Sequence, residues 1–219
     1  MEGRRSFPSR HAEVSKVFSP IPRAGFQLLR RAEILQAADS FTTALEIAPD
    51  SATVIQAWKT VLSFLAPTDW ERLLPRLSRL QAGNPQSPEL SFCYGAALFR
   101  SELAKGTNGA LGRPRLILQK SVRLRPNFPE AHLELGSLYA AQNQYQKAVS
   151  EYLEAIREDP KSDIAHYRLG QVYREMNKLD LATEELARYQ ELSQLHQEEL
   201  KRSRSAIKQF VLSQPAKPN

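Results

Sequence analysis

The sequence predicts an all-α fold built of stacked helix–turn–helix units. Two observations carry that expectation. Residues 129–162 align with 163–196 over 34 positions, with eight identities: Ala131/Ala165, His132/His166, Leu135/Leu169, Gly136/Gly170, Tyr139/Tyr173, Asn143/Asn177, Ala148/Ala182 and Glu151/Glu185. Most of these are small or apolar and fall at helical spacing. A period of this length marks a repeat architecture, in which one unit cannot bury its apolar face alone.

Each block predicts one helix over about 130–142 or 164–176, then a polar break at Asn143-Gln144 or Asn177-Lys178. A second helix carries Ala148, Tyr152 and Ala155, or Ala182, Leu186 and Tyr189. Glycine inside a helix costs about 1 kcal/mol relative to alanine. Its recurrence at 136 and 170 predicts close helix approach, with the glycine facing an alanine of the next helix. Tyr139 and Tyr173, one turn on, supply buried area with a hydroxyl at the rim. Pro160 cannot continue a helix and ends the first block.

On these residues the chain resembles the tetratricopeptide repeat family, whose 34-residue unit has Leu-Gly-x-x-Tyr in helix A and Ala, an aromatic or Leu, and Ala in helix B, then Pro. The match is Leu135, Gly136, Tyr139, Ala148, Tyr152, Ala155 and Pro160, then Leu169, Gly170, Tyr173 and Ala182. His132 stands where the family often has Trp, and Tyr189 and Gln194 replace the closing Ala and Pro, so the last helix B runs on. The resemblance implies a right-handed superhelix of about five units.

Upstream units are weaker. The expected first unit, 21–51, has Gly25 in helix A and Ala37, Phe41, Ala44 and Pro49 in helix B. The second, 52–87, has Trp58, then Leu77, Leu80 and Pro85, with two extra residues. The third, 88–128, opens with Ser87 as N-cap, Pro88 at the first position and Glu89 in the first turn. It then has Tyr94-Gly95, an insertion at 105–113, and Leu118, Ser121 and Pro126. Residues 197–213 are expected to form a polar-backed capping helix, with Leu192, Leu195, Ile207, Phe210 and Val211 as its apolar stripe. The run Gln197-Glu198-Glu199 counts against reading that stripe as a membrane-surface helix. Residues 1–20 read as a basic disordered leader or the product of an upstream start, and 214–219 as a tail.

The formal net charge is +6, concentrated at the ends. Residues 1–31 hold seven Arg/Lys and two Glu, and 200–219 hold five Lys/Arg and no acid, which leaves 18 bases and 22 acids between them. Solvated ends explain this pattern; the alternative is an adaptor touching nucleic acid or an anionic membrane surface through its termini. Nucleic acid is not the expected partner. No apolar run is long enough to span a bilayer, and no secretory signal is visible, so the cytoplasm is the expected compartment.

The residues do not point to catalysis, a cofactor or a metal. Cys93, the only cysteine, sits in the apolar run SFCYGAALF and reads as a buried structural thiol. His132 and His166 occupy one repeat position; successive units separate them by roughly 10 Å, too far for shared ligation. The glycines of KGTNGALGRP (105–114) lack the Gly-Lys-Ser/Thr ending of a phosphate loop.

The expected activity is therefore non-catalytic: capture of a peptide or partner protein in the groove lined by the A helices. Carried over from the family, the groove residues are Phe92, Ala96, Phe99 and Arg100 of unit three, Leu133 and Ser137 of unit four, and Tyr167, Gln171 and Arg174 of unit five. Glu89, Glu130, Ala140, Ala141, Ile164 and Glu175 share the same register. The clamp with which some family members hold chaperone tails is not expected. Its positions hold Phe92, Ala96, Leu133 and Ser137, and only Arg168 resembles a clamp residue.

Overall fold

The computed structural model describes residues 31–49, 51, 53–55, 57–58, 65, 69–106 and 110–213, with side chains except at 31–35, 71 and 206–213. The expected leader, most of the first helix A and the 214–219 tail lie outside the described residues. Among those described there is no strand. The chain divides into two compact units, Met1–Asn127 and Phe128–Asn219.

In the first unit, α1 (Arg31–Ile47), α2 (Trp70–Gly83), α3 (Pro88–Ala104) and α4 (Gly112–Leu124) pack in sequence order. Phe41 of α1 stacks on Trp58 at 4.4 Å between ring centroids, and both are buried. Arg72 and Arg76 of α2 reach back to Asp39 and Glu46 of α1. Helix α3 starts as its sequence dictates: Ser87 Oγ accepts from Leu90 N at 3.1 Å and Pro88 holds the first turn. Glu89 is buried and paired with Arg125, while Ser121 Oγ of α4 donates to Pro88 O at 2.8 Å. These contacts bind the two helices of the unit at one end. Leu118 of α4 fills the space beside Gly95.

In the second unit, α5 (Pro129–Ala141), α6 (Tyr145–Glu158), α7 (Asp163–Glu175) and α8 (Leu179–Ser213) form two consecutive hairpins. Each tight turn has an asparagine in the left-handed region: Asn143 at φ 57° and Asn177 at φ 58°. Gln144 N donates to Tyr139 O at 2.9 Å and Asn143 N to Ala140 O at 2.9 Å. Lys178 N donates to Tyr173 O at 2.8 Å and Asn177 N to Arg174 O at 2.9 Å. Both turns are thus Schellman closures, in which Asn tolerates a backbone that most side chains avoid. The expected polar break is this device, repeated.

The interhelical packing corrects one expectation. Gly136 faces the ring of Tyr152, not an alanine: a Cβ at 136 would meet Tyr152 Cδ1 and Cε1 at 2.7 Å. Gly170 faces Leu186 in the same way, with Cγ at 2.9 Å, and there the expected alanine is also close, with Ala182 O at 3.3 Å. The glycines make room for a large residue from helix B: Tyr152 is buried and Leu186 half-buried. Helix α8 runs unbroken from Leu179 to Ser213, so the last helix B runs on as the missing proline at 194 implied, and residues 197–213 are its continuation.

Candidate functional site

Helix α3 shows which expected groove residues are open to a partner. Phe92, Ala96 and Phe99 are buried, so they pack the core and offer no side chain to a ligand. The physical reason is legible in PELSFCYGAALFRSELA, which is apolar on all sides, and such a helix is covered all round. Arg100 is half-buried, its guanidinium 6.0 Å from the Phe99 ring centroid. Cys93 is buried, and that burial pushes its thiol well above the ordinary value.

The second unit is different. Leu133 is half-buried. Ser137 is buried: its hydroxyl donates to Leu133 O at 2.8 Å and accepts from Tyr152 OH at 3.2 Å. Ser137 therefore anchors the α6 tyrosine from beneath. Gln171 and Arg174 are exposed on α7, and Gln171 Nε2 donates to Tyr167 OH at 2.8 Å. The Tyr167 ring packs on Tyr189 at 5.1 Å, which fixes the hydroxyl that Gln171 holds.

Gln171 and Arg174 belong to a concavity of about 410 Å³ lined by Ala140, Tyr145, Tyr152, Arg168, Val172 and Glu175 as well. Its floor is Val172 and the Tyr152 ring; its rim carries two guanidiniums, one carboxylate and one amide. Such a surface offers several donors to backbone carbonyls or carboxylates. Ala140 and Glu175 lie in the register read from the sequence, and Arg168 was singled out there. Tyr145 and Tyr152 were not assigned to the groove: both come from helix B, which an A-helix register leaves out.

Sequence reasoning also missed a repeated polar pair. His132 Nδ1 lies 2.7 Å from Glu151 Oε2, and His166 Nδ1 lies 2.6 Å from Glu185 Oε2. Both histidines are buried. The carboxylate accepts, so Nδ1 carries the proton. Each pair ties helix A to helix B inside one repeat. The signal was available: both residues are identical between blocks, with the same separation of 19 in each. Burial first, and Glu185 second, raise the Tyr173 phenol above its ordinary value. Among the described residues, no group of three His, Cys, Asp or Glu is arranged to hold a metal.

Three family models match the sequence: a TPR repeat over 136–177, and two tetratricopeptide repeats over 117–150 and 164–196. Residues 117–196 carry tetratricopeptide repeats. The third match coincides with the second sequence block to within one residue. Solved tetratricopeptide structures are similar across most of the chain. TTC0263 from Thermus thermophilus is 21% identical, covering 91% of this chain and 99% of its own, with TM-score 0.58. MamA from Desulfovibrio magneticus is 18% identical, covering 86% and 98%, with TM-score 0.53. YrrB is 18% identical, covering 79% and 84%, with TM-score 0.50. At such identities the likeness establishes the all-α repeat fold. No curated protein matches the chain by sequence. Among the described residues, no helix is long and apolar enough to cross a membrane.

Proposed function

We propose that this repeat protein is a non-catalytic interaction scaffold, and that the concavity of its second unit takes an extended segment of a partner protein. The repeats support the scaffold reading. The concavity lined by Tyr145, Tyr152, Arg168, Gln171, Arg174 and Glu175 carries the site reading. It combines a large aromatic floor with guanidiniums on the rim, the residue types enriched at binding hot spots. Arg168 and Arg174 would hold a partner carboxylate or backbone carbonyls, and the Gln171 amide and the Tyr145 hydroxyl would fix register. YrrB is described as a tetratricopeptide protein with an unusual peptide-binding site, so a repeat scaffold of this kind has room for such a ligand.

The expected groove contracts accordingly. Tyr167, Gln171 and Arg174 remain in the proposed site; Leu133 and Ser137 support it from below; Phe92, Ala96 and Phe99 do not enter it. The test is affinity capture from native lysate with the wild-type chain and an Arg168→Glu/Arg174→Glu variant. The reading predicts proteins retained by wild type and lost by the variant at moderate salt. Equal capture by both baits would remove the concavity as the site.

A further inference from the structure

The charges around the concavity on α7 are not matched by the protein itself. Elsewhere in the second unit, Arg157 pairs with Glu154 and Glu158, Arg188 with Glu191, and Arg202 with Glu198. Among the described residues, the side chains of Arg168 and Arg174 pair with no carboxylate and make no hydrogen bond. Glu175 lines the same concavity and pairs with neither guanidinium. Arg168 is half-buried, and Gln171, Arg174 and Glu175 are exposed.

These unmatched charges select the chemistry of the occupant. Residues 128–199 hold 14 Asp/Glu and seven Lys/Arg, so the two arginines form a cationic spot in an acidic stretch. A nucleic acid or an anionic membrane would meet that excess of acid around the spot and be repelled. An apolar segment laid over the concavity would strip water from two guanidiniums and supply no partner in return. A segment with carboxylates of its own supplies both partners.

The register of α7 sets how those carboxylates are spaced. Arg168 and Arg174 lie on either side of Gln171 in the helix. At 100° per residue they stand about 60° to its two flanks, and about 9 Å apart along the axis. An extended chain covers that distance in about three residues. Side chains three apart on such a chain point to opposite sides. A segment running along α7 over Gln171 therefore presents one acid to each guanidinium when its acids stand at i and i+3. The Tyr145 hydroxyl donates to Asn143 Oδ1 at 3.0 Å, which leaves its oxygen to accept from the backbone of the segment. A longer acidic run would meet the Glu175 carboxylate, one residue past Arg174.

We infer that the concavity selects an extended partner segment with two acidic side chains three residues apart, Arg168 holding one and Arg174 the other. This rests on the scaffold reading above and names the chemistry of its partner. Both anions are side chains, so no chain terminus is needed.

The test is selection from a phage-displayed library of short random peptides, fused so that no terminal carboxylate is offered. The baits are the full wild-type chain and Arg168→Glu/Arg174→Glu, with its fold checked by thermal melting. The wild type is expected to enrich peptides with Asp or Glu at i and i+3. The reversed chain is expected to lose them and to enrich Lys or Arg at that spacing. For an enriched acidic peptide made synthetically, Arg168→Gln and Arg174→Gln should each weaken binding about tenfold, one charge-assisted contact apiece. Wild-type enrichment of apolar or basic peptides that the reversed chain loses overturns the inference and leaves the concavity as the binding site. Acids enriched at all spacings alike also overturn it. Acidic peptides enriched equally by both baits, or none enriched by either, overturn it too, and lysate capture with the same variant then decides the scaffold reading by itself.

Discussion

Replacing Gly136 with alanine separates two effects of opposite sign. Alanine is the better helix former, by about 1 kcal/mol at a mid-helix position. Against this, its Cβ would sit 2.7 Å from two ring carbons of Tyr152, where ordinary contacts begin near 3.4 Å. The ring cannot swing aside: Tyr152 is only 1% exposed, and its hydroxyl is tied to Ser137 at 3.2 Å. Overpacking of this kind costs about 1–3 kcal/mol. The clash should win, leaving Gly136→Ala destabilised by about 1 kcal/mol, read by urea denaturation followed by circular dichroism. In a Tyr152→Ala background the obstruction is gone, and the same substitution should stabilise by up to about 1 kcal/mol. Gly83→Ala, where nothing lies within 4 Å of the new Cβ, serves as an unobstructed control. Stabilisation by Gly136→Ala in the wild-type background would refute the claim that glycine is there to admit the tyrosine.

Other substitutions test other parts of the structure. Tyr139 is buried with Lys147 over its ring, so Tyr139→Ala should cost about 3–5 kcal/mol; a loss below about 1 kcal/mol in denaturant melts would contradict its packing role. Cys93 should react with a thiol reagent very slowly in the native state and rapidly in urea, because burial excludes the reagent and disfavours the thiolate. Ser203→Pro should break the end of α8 yet leave the Tm of the repeats within about 1 °C, since residues 197–205 are all exposed; a larger fall would support the capping role. Arg168→Glu/Arg174→Glu should leave Tm nearly unchanged, as surface substitutions do, while removing partner capture.

The repeat was legible because its signals are local. Gly136 and Gly170, Tyr139 and Tyr173, and the two asparagine turns are each readable from a 34-residue period and helical spacing. What each glycine faces was not legible, since the partner at 152 or 186 is chosen by three-dimensional packing and both tyrosine and leucine fit a helix pattern. The concavity of the second unit was half legible. An A-helix register gives Gln171 and Arg174, but it cannot reveal that Phe92 and Phe99 are covered or that Tyr145 and Tyr152 of helix B complete the wall. Burial of α3 could have been read from its all-round apolarity, which outweighs any register borrowed from a family. The continuity of α8 followed from the missing proline at 194, but its exposed overhang is a fact of length: α7 is 13 residues and α8 is 35.

Site-specific photo-crosslinking tests the scaffold reading most directly. A photoreactive amino acid would replace Gln171 in the concavity or, in a second sample, the exposed Gln190 of α8, and each chain would be irradiated in native lysate. Defined crosslinked partners at 171 that are absent at 190, and that vanish when Arg168→Glu/Arg174→Glu is added, are the predicted result. The same products from both positions, or products at 171 that survive the double substitution, would contradict it.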